Sequence, residues 1–180
     1  VPVEFTKREA RKADPVTGVR GYGTYNQPPG SFSDDSSLLL CSAASLAVRG
    51  GFDAADQGAH FVGYLDRAEW TPHGKVFDIG GTTANAINAL RSGLAPERCG
   101  GSEERDNGNG SLMRILPIAL HFAGLPPREL CRLAHRASSL THAHPRSLMA
   151  CGIYCLIAAR VLEGAPPREA YRRGIEDAHA

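Results

Sequence analysis

At 180 residues the chain has the length of one ordinary domain, and its 20 Lys and Arg against 19 Asp and Glu leave a formal net charge of +1. That balance gives no global electrostatic case for a nucleic-acid or anionic-membrane partner. The 42% hydrophobic and 22% charged residues exclude a disordered chain, and no apolar run is read as approaching the roughly 18–20 residues of a membrane span.

Residues 1–32 form a loop-rich opening, punctuated by Pro2, Pro15, Gly18, Gly21, Gly23, Pro28, Pro29 and Gly30. From Ser36 the spacing of Leu38, Leu39, Ala43, Leu46 and Ala47 predicts a helix that stops at Gly50-Gly51. A second helix is expected from Asp53, with Ala59, Val62 and Leu65 on its apolar face. Thr82-Thr83 reads as the cap of a third helix carrying Ala86, Ile87 and Leu90. Residues 92–110 are polar and glycine-rich, and an apolar helix from Leu112 to Ala123 follows. Two more helices start at Pro126-Pro127-Arg128-Glu129 and Pro166-Pro167-Arg168-Glu169, where proline presets φ and the acid complements the helix dipole. Between them Leu148, Cys151, Cys155, Ala158 and Leu162 trace a buried stripe. No segment reads as a β-strand, so the expected class is all-α. The five cysteines, an odd count without Cys-x-x-Cys, read as free thiols in a reducing, cytoplasmic compartment.

Four constellations could carry chemistry. Ser33-Asp34-Asp35 opens the first long helix; helix capping explains it, as does a hard-cation site, since two adjacent carboxylates repel unless a cation lies between them. No Lys or Arg occurs between Tyr25 and Leu46 to supply that charge. Asn107-Gly108-Asn109-Gly110-Ser111 has the residues for a φ > 0 anion cradle at a helix start, or for a plain turn. Arg114 reads as a phosphate partner or a structural ion pair. In Thr141-His142-Ala143-His144-Pro145 the flanking helices argue against a strand-type metal site and leave one histidine for substrate contact. Asp78, beside Gly80-Gly81, reads as a helix cap or a carboxylate facing a cleft.

In combination and in order, these segments resemble the ADP-ribosylglycohydrolase family, which includes the dinitrogenase-reductase-activating glycohydrolases. The resemblance rests on Val3-Glu4-Phe5, Pro28-Pro29-Gly30-Ser31-Phe32-Ser33-Asp34-Asp35, Phe77-Asp78-Ile79-Gly80, Gly108-Asn109-Gly110-Ser111-Leu112-Met113-Arg114 and Thr141-His142-Ala143-His144-Pro145. It implies an all-α orthogonal helical bundle with a two-ion Mg²⁺ centre (Mn²⁺ as the alternative ion) that hydrolyses the bond between ADP-ribose and a protein side chain or related acceptor. It implies Glu4, Ser33, Asp34 and Asp35 as metal ligands, with Asp34, Asp35 and Asp78 as catalytic carboxylates. Asn107, Gly108, Asn109, Gly110, Ser111 and His142 are implied substrate contacts. The family pattern also has a Gly-Asp-Ala-Leu-Gly-type helix before the segment matching Val1–Phe5, and an Asp-x-Asp-Thr motif beyond the region matching Ala180. Neither motif occurs in the sequence. The expectation is therefore a single domain over residues 1–180 that is partial at both ends and, alone, inactive or nearly so. A catalytically dead ADP-ribose-binding protein and a helical-repeat scaffold, suggested by the two Pro-Pro-Arg-Glu starts, are the alternative readings.

Overall fold

A computed structural model describes residues 2–179; Val1 and Ala180, the limits of the expected domain, lie outside them. Eight α-helices are present: α1 (Arg8–Ala13), α2 (Asp34–Arg49), α3 (Ala54–Arg67), α4 (Gly81–Arg91), α5 (Leu116–Phe122), α6 (Pro127–Ser139), α7 (Pro145–Leu162) and α8 (Pro167–His179). Among the described residues there is no strand, only isolated bridges at Tyr22–Gln27 and Gly101–His142. The all-α expectation holds.

Two apolar clusters hold the helices together. One joins Leu46 of α2, Ile118 and Ala119 of α5, Leu130, Ala134 and Ala137 of α6, and Cys151, Cys155 and Leu156 of α7. The other joins Leu38 and Cys41 of α2, Phe61 and Tyr64 of α3, and Ile87 of α4, with Ile79 and Met113 packed against it. Each fully buried Leu, Ile or Phe contributes on the order of 1.5–3 kcal/mol. All five cysteines are free thiols.

The helix boundaries follow local chemistry. Gly50, with φ +67°, ends α2 in the left-handed region, which costs glycine nothing. Asp53 caps α3 by accepting from the backbone N–H groups of Ala55 and Asp56, both at 3.0 Å. α6 and α8 begin at the second proline of each Pro-Pro-Arg-Glu.

Several expected faces are corrected. On α3 Val62 and Leu65 pack against the second cluster as expected, but the most buried side is Gln57, Phe61 and Tyr64, and Ala59 is exposed. On α2, Leu39, Ala43 and Ala47 turn away from Leu38 and Cys41 and line an open apolar groove with Leu116, Pro117 and Leu120. The 112–123 helix is broken: a 3-10 turn, Leu112–Arg114, precedes α5, because Pro117 lacks an N–H and is accommodated in the first helical turn. The α7 stripe ends at Ala159, and Leu162 is exposed. At 18 residues and a mean hydropathy of 1.3, α7 is also long and apolar enough to cross a membrane by those two measures, contrary to the sequence reading. Here it packs against α5, α6 and α8, as the central helix of a core does.

Candidate active-site cleft

A cleft of about 390 Å³ opens where the N-terminal segment, the start of α2, the 77–83 segment, the 108–113 loop and His142 meet. Glu4, Asp34, Asp35 and Asp78 line it on one side; Gly108, Asn109, Gly110 and His142 line the other. Residues as far apart in sequence as Glu4 and His142 are thus brought together, with no Lys or Arg among the lining residues.

The acidic wall begins at the N-terminus of α2. Ser33 occupies the N-cap position, yet its hydroxyl caps no backbone N–H. It donates instead to the Asp35 carboxylate at 2.9 Å, so helix capping does not account for this cluster. Asp34 is 5% exposed, and burial, followed by the charges of Asp35 and Asp78, pushes its pKa up to about 7. Burial and then Asp78 raise the Glu4 carboxyl as well. Asp78 is neither a helix cap nor a loop residue at ease. Its φ of +64° is a left-handed conformation that aspartate tolerates at some cost, while Gly80 takes the N-cap position of α4. Its neighbours hold it there: the Phe77 ring meets Tyr25 at 5.8 Å and Ile79 enters the second apolar cluster. A hydrogen bond to Asp78, together with burial, raises the Tyr25 phenol to about 12.

The opposite wall differs from the expected anion cradle. None of residues 107–111 has a positive φ, and only a 3-10 turn follows. Glycine is needed for close approach instead: a Cβ on Gly110 would lie 2.7 Å from His142 Cε1 and 2.8 Å from Thr83 Oγ1. Asn107 turns to the Glu104 carbonyl, and the Ser111 hydroxyl is fully buried against Ser138 Oγ (2.8 Å) and Cys151 Sγ (3.4 Å). Neither side chain lines the cleft. Thr82 and Thr83 cap nothing; Thr82 donates to Asp106 at 3.2 Å, tying α4 to the loop.

Of the two histidines, only His142 faces the cleft. It is 3% exposed, and burial together with Arg114 holds its pKa down to about 4, so the ring is neutral at physiological pH. His144 caps α7 and lies 3.3 Å from Glu104. Arg114 is neither a phosphate partner nor part of an ion pair. It is fully buried, stacks on Phe61 at 4.7 Å, and donates through Nη2 to the Ala137 carbonyl (3.1 Å) and Thr141 Oγ1 (2.7 Å). Sequence reasoning missed Thr141, Tyr25 and Thr83 as site residues, although Thr141 opens the histidine motif and Thr83 reads as a helix cap.

The donor chemistry of the acidic wall suits a hard divalent cation: carboxylate oxygens, no thiol, and unneutralised negative charge. In number it falls short, since among the described residues no three His, Cys, Asp or Glu side chains gather around one point.

The sequence matches the ADP-ribosylglycohydrolase family profile over residues 1–180. It is 29% identical over 171 residues to the ADP-ribosylarginine hydrolase Tri1 of Pseudomonas putida (strain GB-1), covering 93% of this chain and 44% of that protein. It is 32% identical over 138 residues to the ADP-ribosyl-[dinitrogen reductase] glycohydrolase of Rhodospirillum rubrum, covering 74% of this chain and 42% of the relative. A solved structure described as an ADP-ribosylglycohydrolase-related protein complex superposes with a TM-score of 0.71 at 31% identity, covering 88% of this chain and 49% of the other. The chain thus spans less than half the length of these relatives. It belongs to the ADP-ribosylglycohydrolase family.

Proposed function

We propose that the cleft binds ADP-ribose and supplies one face of a hydrolytic site that removes it from a modified protein side chain. The observation that carries this reading is the four-carboxylate wall facing the 108–110 backbone and His142, without a neutralising cation. Relatives named for ADP-ribosylarginine and for ADP-ribosylated dinitrogen reductase make an arginine-linked acceptor the first to test.

In this reading Glu4, Asp34 and Asp35, which do not gather around one point without the ion, would draw together on Mg²⁺, or Mn²⁺, with Ser33 joining them if its hydroxyl releases Asp35. The bound ion would polarise substrate oxygens and acidify a water. Asp34 or Asp35 would position or deprotonate the attacking water. The negative charge of Asp35 and Asp78 would favour an oxocarbenium-like ribose as the bond to the acceptor lengthens. His142 and the 108–110 backbone orient the nucleotide, and the apolar floor of Met113 and the second cluster limits water access from below.

A second reading, ADP-ribose binding without hydrolysis, is favoured by the shortfall of metal donors. Calorimetry with ADP-ribose, with and without MgCl₂, separates the two. Heat that grows with Mg²⁺ supports the hydrolase, metal-independent heat supports the binding protein, and no heat in either condition removes both.

A further inference from the structure

The Thr141 hydroxyl lies between a guanidinium and an imidazole. Its Oγ1 is 2.7 Å from Arg114 Nη2 and 3.0 Å from His142 Nδ1, and Thr141 is 0% exposed. Arginine has donors only, so the contact with Arg114 makes Oγ1 an acceptor there. The hydroxyl's own proton then needs an acceptor in a site closed to water. His142 Nδ1 is the one within reach among the described hydrogen bonds. If the ring instead donated Nδ1–H to Thr141 Oγ1, the hydroxyl's own proton would be left buried and unpaired, which is the costlier arrangement. A neutral imidazole that accepts at Nδ1 carries its hydrogen on Nε2. His142 Nε2 lies on the cleft side, 3.7 Å from where a Cβ of Gly108 would stand.

We propose that Arg114 and Thr141 are positioning residues. By filling the acceptor face of the Thr141 hydroxyl, the guanidinium turns its proton onto His142 Nδ1 and fixes His142 as a neutral Nε2–H donor facing the cleft. This explains why an arginine without a carboxylate partner is kept fully buried. Its Nη2 group is held by the carbonyls at the C-terminal end of α6, where the helix dipole favours positive charge, and its plane rests on Phe61. The Ser138 hydroxyl completes the arrangement from the other side, donating to the His142 carbonyl at 2.9 Å. The proposal rests on the ADP-ribose reading only in naming what the donor meets: an acceptor oxygen of a ribose or a phosphate.

The test is the tautomer itself, read by long-range ¹H–¹⁵N NMR on histidine-labelled protein, with the His142 signals assigned through their loss in His142→Gln. The expected spectrum has Nδ1 unprotonated and Nε2 protonated in roughly nine-tenths or more of the molecules. Thr141→Ser, which keeps the hydroxyl, should leave this pattern unchanged, and Thr141→Val should mix or reverse it. A wild-type ring protonated on Nδ1, or a Thr141→Val spectrum identical to the wild type, would overturn the proposal. If Thr141→Val does not fold, the wild-type spectrum still decides. The measurement needs no ligand, so a failure to bind ADP-ribose would count against the proposed function and leave the relay standing.

Discussion

On one wall of the cleft, Glu4, Asp34, Asp35 and Asp78 face one another with no cation among the lining residues. On the other, a neutral histidine stands on a buried network in which Arg114, Thr141, Ser138 and Ser111 have partners at 2.7–3.5 Å. The first wall stores repulsion that a bound cation would relieve; the second is hydrogen-bonded before any ligand arrives, except at Arg114 Nε and Nη1, which are buried without a partner among the described residues. The difference separates two jobs, charge chemistry and orientation, and it has opposite consequences for stability. Removing a group from the hydrogen-bonded wall should destabilise the protein, whereas neutralising a carboxylate on the strained wall should stabilise it until metal is added.

The largest effect is expected at Arg114. Arg114→Ala deletes a fully buried side chain and takes the guanidinium donor from the Ala137 carbonyl and the Thr141 hydroxyl, while the Ser138 carbonyl keeps the backbone N–H groups of Thr141 and His142. The combined cavity and lost hydrogen bonds should cost about 3–5 kcal/mol, read as a lower urea midpoint at unchanged slope. A loss below about 1 kcal/mol would show that the wall does not depend on this residue.

How much of this was legible in the sequence differs between the walls for a physical reason. The acidic residues leave a mark in the sequence: adjacent aspartates repel unless a cation lies nearby, so Ser33-Asp34-Asp35 could be read as a hard-cation site, beside the helix cap that the structure does not bear out. The helices were legible for a similar reason, since proline and glycine act locally, and α6 and α8 begin where Pro-Pro-Arg-Glu placed them. The orientation wall was not legible. Asn-Gly-Asn-Gly suggested a left-handed cradle, but Gly110 serves to admit His142 and Thr83 at close range, a requirement set by chain segments 27 or more residues away. Arg114 read as a phosphate partner or an ion pair because its actual partners, main-chain carbonyls at the end of α6 and the ring of Phe61, leave no mark in local sequence. The face of α3 was read only in part for a related reason: Val62 and Leu65 pack against the core, but Gln57 is buried too, donating to Ser42 at 2.8 Å, so a polar residue sits where periodicity expects an apolar one.

A smaller effect follows from His142. Its pKa, held down to about 4 by burial and by Arg114, lies below the ordinary value of 6.5. The folded protein therefore favours the neutral ring. That contribution is fully present above pH 6.5 and is lost as pH falls through about 4. About 2 kcal/mol should disappear across this window, visible as a fall in Tm that His142→Gln flattens. An equal slope in the variant would show that other groups carry the acid sensitivity.

The smallest effect, and the one that tests the contrast by its sign, is Asp34→Asn. The Asp34 pKa is raised from 3.8 to about 7, so the protonated carboxyl is the form the fold prefers. Its stabilising contribution is complete below pH 3.8 and is lost as pH rises through about 7, where the buried charge meets Asp35 and Asp78. The amide carries no such charge at any pH. Without metal, Asp34→Asn should therefore match the wild type near pH 4 and exceed it by about 1 kcal/mol at pH 8, discounting the opening of the cleft to solvent. Adding Mg²⁺ at pH 8 should raise the wild-type Tm and leave the variant nearly still, because the ion would lose one of its carboxylates and the repulsion it relieves. A variant that is less stable than the wild type at pH 8 without metal would mean that the acidic wall is not strained, and the division of labour between the two walls would fall with it.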